Sequence, residues 1–296
     1  MIEKSKLVSV CLPTLNGETH LKEALDSVKA QTYRPLELIC SDDQSADDTP
    51  AILRKFSEEV DFPVYIYDHE PAGIGANWNN CLKKANGEYI KFLFQDDVLS
   101  PLCIEKMITE LSGQEEIALI ASKRFLIFNE DKRQKYSNWI EEYGNLQEKI
   151  ENKKGGKILL DKSFFCSKAF RSHPVNKIAE PSGIFFRKDL IKKTGYFRED
   201  MVQILDVEFY NRVLKKGKII ILPDSLYGFR LHEQQESVRN EGKHGRDFEL
   251  YDQLLLKNYF WYLNVSSRLQ LLDKYYPFVA RLYRYFNKTI QKNKSG

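Results

Sequence analysis

The run LVSVCL, Leu7 to Leu12, is almost wholly apolar, and just beyond it the period changes: Leu21, Ala24, Leu25 and Val28 recur at i, i+3, i+4 and i+7. A short apolar run fits a strand buried on both faces, and the longer repeat fits a helix with one buried face. The same alternation returns three times. LELIC leads through SDDQSADDTP, where Asp48 or Thr49 can cap a helix with Pro50 in its first turn and Ile52, Leu53 and Phe56 facing inward. VYIYD leads through HEPAGIGANWNN to a helix through Cys81, Leu82 and Ala85 that Gly87 stops. YIKFLF is followed by a helix from Pro101 that buries Leu102, Met107, Ile108 and Leu111, and IALIAS and RFLIF read as two further strands. This order predicts βα units around a mostly parallel sheet flanked by helices.

Residues 129–168 break the pattern. They are polar and poorly periodic apart from GKILL, which predicts an insertion lying over the sheet, and long ordered insertions often serve as lids. Regular structure resumes at SGIFF, with a helix from Arg187, a second helix within REDMVQILDVEFYNRVLKKG and the strand KIIIL. The chain ends in helices rich in Leu, Tyr, Phe, Lys and Arg. Three parts follow: 1–128, 129–235 containing the insertion 129–168, and a helical extension over 236–296.

Composition narrows the class. A chain of 296 residues with 42% hydrophobic and 12% aromatic content can bury one large core, or one core and an appended subdomain. Its 45 Lys and Arg against 42 Asp and Glu leave a net charge of +3, too small to argue for a nucleic-acid partner. Five scattered cysteines without a CxxC pair read as buried thiols in a reducing compartment. The N-terminal apolar run is too short, and too soon broken by Pro13, for a secretory signal. No segment reaches the roughly 18 uninterrupted apolar residues of a membrane span. The expectation is a cytoplasmic protein.

Polar turns carry the chemistry. In an open parallel sheet the ligand site lies beyond the carboxyl ends of the strands, and three polar turns leave strands there: Pro13 to Gly17, Ser41 to Asp48 and Gln95 to Asp97. Asp47 and Asp48 fit turn formers and caps. Asp43 directly at a strand end, and the pair Asp96 and Asp97 after YIKFLF, ask for more, because like charges near a core are costly. A divalent cation is one explanation and a solvated turn is the other.

The stretches VSVCLPTLNGETHLKEALDSVKAQTY and LELICSDDQSADDT resemble the nucleotide-binding half of the family 2, GT-A-fold glycosyltransferases, and ANGEYIKFLFQDDVLSP resembles that family's metal-binding segment. The likeness covers about the first 110 residues and returns near Asp206 and His232. It implies a Rossmann-like α/β fold and a nucleotide-sugar donor, UDP- or dTDP-linked, with Mn2+ or Mg2+ as cofactor. Asp97 resembles the direct metal ligand, and Asp96 the residue on the ribose or a metal-bound water. Asp43 resembles the carboxylate that accepts from the base ring nitrogen, Pro13, Thr14 and Asn16 would line the nucleoside, and Asn79 matches a family Asn. His232 resembles the histidine that approaches metal or diphosphate, with Arg230 near the phosphates. Two positions depart from the pattern: Phe94 stands where many relatives carry Asp, and Trp78 where many carry Arg.

Asp206, at the start of a helix whose Leu205, Phe209, Val213 and Leu214 face the core, resembles the family's general base and is expected to project freely. One base and one in-line displacement would invert the anomeric centre. The reading is an inverting, metal-dependent transferase that acts on a hydroxyl of a glycan, or a lipid-linked glycan, in surface polysaccharide synthesis. A sugar-phosphate nucleotidyltransferase and a non-catalytic nucleotide-sugar-binding module are the alternatives. In DKYYPFVARLYRYFNKTIQKNK, Phe278, Leu282, Tyr285 and Phe286 share a face opposite Arg281, Arg284 and Lys288, which fits either a peripheral membrane contact or a helix packed on its own domain.

Overall fold

All seven residues of β1 (Val8–Thr14) are buried, and so are all seven of β2 (Leu36–Asp42), as expected of strands covered on both faces. β1 pairs in parallel with β2 and with β4 (Tyr89–Phe92), and β2 pairs in parallel with β3 (Val64–Asp68). Three helices make the crossovers: α1 (Glu18–Lys29), α2 (Thr49–Glu59) and α3 (Ile74–Lys84). The inward faces of α1 and α2 are Leu21, Ala24, Leu25 and Val28, and Leu53 and Phe56, the stripes the periodicity marks. At α2 the capping role falls to Asp47 rather than to Asp48 or Thr49: Asp47 Oδ1 accepts from the Thr49 amide at 3.0 Å.

The computed structural model describes residues 6–150, 153–154, 156–233 and 244–294. Beyond β4 come β5 (Val98–Leu99), α4 (Cys103–Leu111), β6 (Ile117–Ile127), α5 (Arg133–Tyr143), β7 (Lys153–Lys154), β8 (Lys157–Leu160), β9 (Ile184–Arg187), α6 (Leu190–Thr194), α7 (Leu205–Lys216) and β10 (Lys218–Arg230). The sheet runs β3-β2-β1-β4-β9-β6-β10-β8-β7, with β5 pairing β10. It is parallel through the first half. Past β4 it is mixed, because β9 enters antiparallel between β4 and β6.

Several expectations change here. IALIAS and RFLIF are one strand, β6, joined to β10 by ten residue pairs whose register slips between Lys218 and Ile219 and again between Leu222 and Tyr227. Part of the insertion 129–168 joins the sheet: β8 pairs antiparallel with β10, Ile219 opposite Leu160, because Ile158 and Leu160 alternate inward. Arg187 ends β9, and the helix after it begins at Leu190. Leu102 is exposed, just before α4. Four cysteines are buried and Cys166 is exposed.

The C-terminal extension comprises α8 (His244–Asn258), α9 (Val265–Tyr275) and α10 (Pro277–Lys294). It packs through Leu255, Leu263, Leu271 and Ala280, and each fully buried Leu adds about 1.5–3 kcal/mol. It also grips the loop ahead of α7: Asp247 Oδ2 accepts from the amides of Val202 at 2.9 Å, Gln203 at 2.7 Å and Ile204 at 3.4 Å. Among the described residues no helix is long and apolar enough to cross a membrane.

Candidate active site

The carboxyl ends of β1, β2 and β4 are stitched together by side chains from the polar turns. Pro13 and Thr14 lie within β1 and are buried; the Thr14 hydroxyl donates to Asp42 Oδ1 at 2.7 Å. Asp42 in turn accepts from the Ser45 amide and hydroxyl. Asn16 takes the left-handed backbone region, φ 49°, which asparagine tolerates, and its Oδ1 accepts from the Ala46 amide. Gln95 clasps the same loop from the β4 side, accepting from the Leu15 amide and donating to the Leu15 carbonyl.

Asp43 leaves β2 beside His69 at the end of β3, with Asp43 Oδ1 and His69 Nδ1 2.5 Å apart. Burial raises the Asp43 carboxyl above its ordinary range, and His69 acts in the opposite direction. Next to it, Asn77 donates to the Thr14 carbonyl at 3.3 Å, while its buried Oδ1 has no partner among the described residues.

Asp97 is 1% exposed. Its Oδ1 accepts weakly from the Arg230 amide at 3.3 Å, and its buried Oδ2 has no hydrogen-bond partner among the described residues. Burial first, and the charge of Asp96 second, push the carboxyl well above its usual value, while the nearby Ser182 hydroxyl, too poorly aligned for a full hydrogen bond, acts in the opposite direction. Asp96 is half-buried, and His232 Nε2 lies 2.9 Å from its Oδ2. Arg230 reaches back to the Asp96 carbonyl at 2.8 Å and pairs with Glu23 at 2.5 Å. A divalent cation fits this set, since it would give Asp97 Oδ2 the partner it lacks and relieve the repulsion with Asp96. Among the described residues no three His, Cys, Asp or Glu close into a cage.

Asp206 stands in the first turn of α7 and is buried, contrary to the free projection expected of it. Its Oδ2 accepts from Asn176 at 2.8 Å, and that Asn also donates to the Ala179 carbonyl. Burial is the main cause that pushes the Asp206 carboxyl up to about 7, with the charge of Glu180 adding to it. The charge of the same Glu180 also raises Asp97, so this third carboxylate acts on both acids. Glu180 accepts from the Tyr227 hydroxyl and pairs with Arg124, whose guanidinium lies against Trp139 and Phe229. Glycine is required at Gly183, because a Cβ there would collide with the Tyr227 ring. Ser182, next in the same turn, accepts from the Phe94 amide, and the fully buried Lys91 donates to its carbonyl.

Asn79 falls outside this set. Its amide is buried and spent on the Phe197 main chain and Glu199, where it ties α3 to the loop before α7. Glu180, Gln95, His69 and Asn77 were missed. The sequence signals for them are weak: an acid before Pro181, and polar residues one step beyond strand ends.

Residues 9–176 match the family model described as glycosyl transferase family 2. The chain belongs to glycosyl transferase family 2. An uncharacterized protein of Mycobacterium tuberculosis, MT1568, is 27% identical over 237 residues, 79% of this chain and 70% of its own length. A Campylobacter jejuni protein named GalNAc(5)-diNAcBac-PP-undecaprenol beta-1,3-glucosyltransferase is 36% identical over 93 residues, 31% of this chain and 30% of its own. The chain thus spans well under half the length of that relative. Among solved structures, Staphylococcus aureus TarS 1–349 superposes with a TM-score of 0.61 at 19% identity over 90% of this chain and 69% of that one, and TarS has also been solved with UDP-GlcNAc. A mannosyltransferase of Pyrobaculum calidifontis, in complex with GDP-Man and Mn2+, gives 0.58 at 17% identity over 97% of this chain and 80% of that one. The fold of this family 2 chain is GT-A.

Proposed function

We propose that this glycosyltransferase moves a sugar from a UDP- or dTDP-sugar to a hydroxyl of a glycan, carried on lipid in surface polysaccharide synthesis, with inversion. The observation that carries the reading is Asp206: a buried carboxyl brought near neutrality and held by Asn176, with the charge of Glu180 acting on it and on the buried Asp97 alike. A base works best when its pKa lies near the working pH. Asp206 takes the proton from the acceptor hydroxyl as that oxygen attacks the anomeric carbon opposite the departing diphosphate.

Asp43, oriented by His69, accepts from the ring N–H that uracil and thymine share. Pro13, Thr14 and Asn16 line the nucleoside. Asp97, with Asp96 and His232 beside it, holds Mn2+ or Mg2+. When bound, that ion neutralises charge on the leaving diphosphate. Arg230 lies next to these acids and supports the phosphates. Support for the donor and acceptor classes comes from the TarS complex with UDP-GlcNAc and the undecaprenol-linked substrate in the Campylobacter protein's name.

The test is a panel of UDP-, dTDP- and GDP-sugars incubated with Mn2+ and a lipid-linked acceptor extract. A uridine or thymidine donor should be turned over to a product of opposite anomeric configuration. Turnover of a guanosine donor alone, or retention, overturns the reading.

A further inference from the structure

Helix α10 buries Ala280 against the rest of the extension, so its other face looks away from the protein. That outer face is apolar. Phe278, Leu282 and Tyr285 stand at i, i+4 and i+7 and are 72%, 45% and 69% exposed. Trp261, 76% exposed, flanks the same helix: the neighbouring Phe260 ring meets Tyr283 of α10 at 6.1 Å, and Arg268 reaches both the Trp261 carbonyl and the Tyr283 hydroxyl. Trp261 thus adds a second exposed aromatic beside the helix, on its Tyr283 side. Leaving so much contiguous apolar area in water is unusual for a surface without a partner.

We infer that this face docks on an anionic lipid surface. The charge of the helix selects that occupant. From Pro277 to Lys294 it carries five Lys and Arg and no Asp or Glu, and exposed Arg281 lies beside the Phe278–Tyr285 stripe. A helix with an apolar stripe and a cationic flank lies in the headgroup plane, its aromatic rings at the interface and its cations on lipid phosphates. Arg284 is paired with Asp273, but the helix carries no acid, so two copies facing each other through this surface would bring like charges such as Arg281 together, which disfavours a symmetric dimer. The extension packs on the half that carries Asp206, through Asp247 and through Arg171 with Asp252 at 3.0 Å, so docking would hold that half near lipid-borne acceptors.

Flotation of the full chain tests this without any donor, so its outcome is independent of the sugar-transfer reading. The chain should float with vesicles of phosphatidylglycerol and phosphatidylethanolamine, remain at the bottom with pure phosphatidylcholine, and lose about tenfold in bound fraction at high salt. The triple variant Trp261→Ser, Phe278→Ser, Leu282→Ser should lose flotation while keeping its melting temperature, and Arg281→Glu should weaken it. Failure of the full chain to float on anionic vesicles overturns the inference, as does equal flotation of the triple variant. A concentration-dependent dimer that the triple variant dissolves would assign the face to a second copy instead.

Discussion

Trp78 and Phe94 pack ring against ring, their centroids 4.9 Å apart. By the family resemblance these are two departures, an implied Arg at the first position and an implied Asp at the second. Their contact makes the two departures one exchange: an aromatic pair stands where an ion pair would be possible, with Phe92 and Phe197 completing the cluster around Trp78. Trp78→Arg alone should cost about 3–5 kcal/mol, because it buries a cation with no partner. Adding Phe94→Asp should recover at least about 1 kcal/mol if the positions are coupled. Chemical denaturation of the wild type, both single variants and the double variant closes the cycle; additive losses would dissolve the idea of one exchange.

Asp97→Ala should reduce UDP affinity in the presence of Mn2+ by tenfold or more, of order 1.4 kcal/mol. Calorimetry in EDTA should show wild type and variant alike. A variant that binds UDP and Mn2+ like the wild type removes Asp97 from the metal site.

The Asp206 carboxyl, held at about 7 by burial, must lose its proton to act as base. The rate under saturating substrate should therefore rise about tenfold per pH unit below 7 and level off above it. Asp206→Asn should keep donor binding and lose turnover by at least 100-fold, with no rise across that range. Stability supplies a readout separate from activity. An acid whose folded pKa is raised loses stability as pH climbs from its unfolded value of 3.8 toward 7, so wild-type stability should fall over that window relative to Asp206→Asn. A near-normal rate in Asp206→Asn excludes it as the base.

Asp247 reaches across from α8 to hold three consecutive amides, those of Val202, Gln203 and Ile204, two residues ahead of Asp206. It acts on the reaction through position alone. Asp247→Ala should lower kcat about tenfold with little change in the donor KM, since its hydrogen bonds go to the loop ahead of α7 and not to the loops that carry Asp43 and Asp97. Asp247→Asn, which keeps an acceptor oxygen, should retain most of the rate. An equal rise in donor KM would point to general unfolding instead.

Much of this architecture was legible in the residue order. Leu21, Ala24, Leu25 and Val28 announced a helix face because burial on one side of a 3.6-residue repeat leaves no other pattern. The strand end at Asp43 was legible because an apolar run stops abruptly at acids, whereas β4 ends at Phe92 and Asp97 stands in the turn ahead of β5. The same reasoning failed for β9 and β8. Their short apolar runs say nothing about direction or neighbour, which depend on which sheet edges the rest of the chain leaves open.

By itself the sequence determined the order of strands and helices, the acids at the strand ends and the cationic, aromatic tail, because all of these are local and periodic. Only the tertiary structure decided which acids share a site. Glu180, whose charge raises both Asp97 and Asp206, is held by Tyr227 and Arg124, and those contacts join residues far apart in the chain. Burial is likewise a property of the assembled fold. It turns Asp206 from an ordinary first-turn acid into one that titrates near neutrality, and it leaves Asp97 Oδ2 without a partner. Removal from water sets the cost of a carboxylate charge, and no stretch of sequence states how much water its neighbours will exclude.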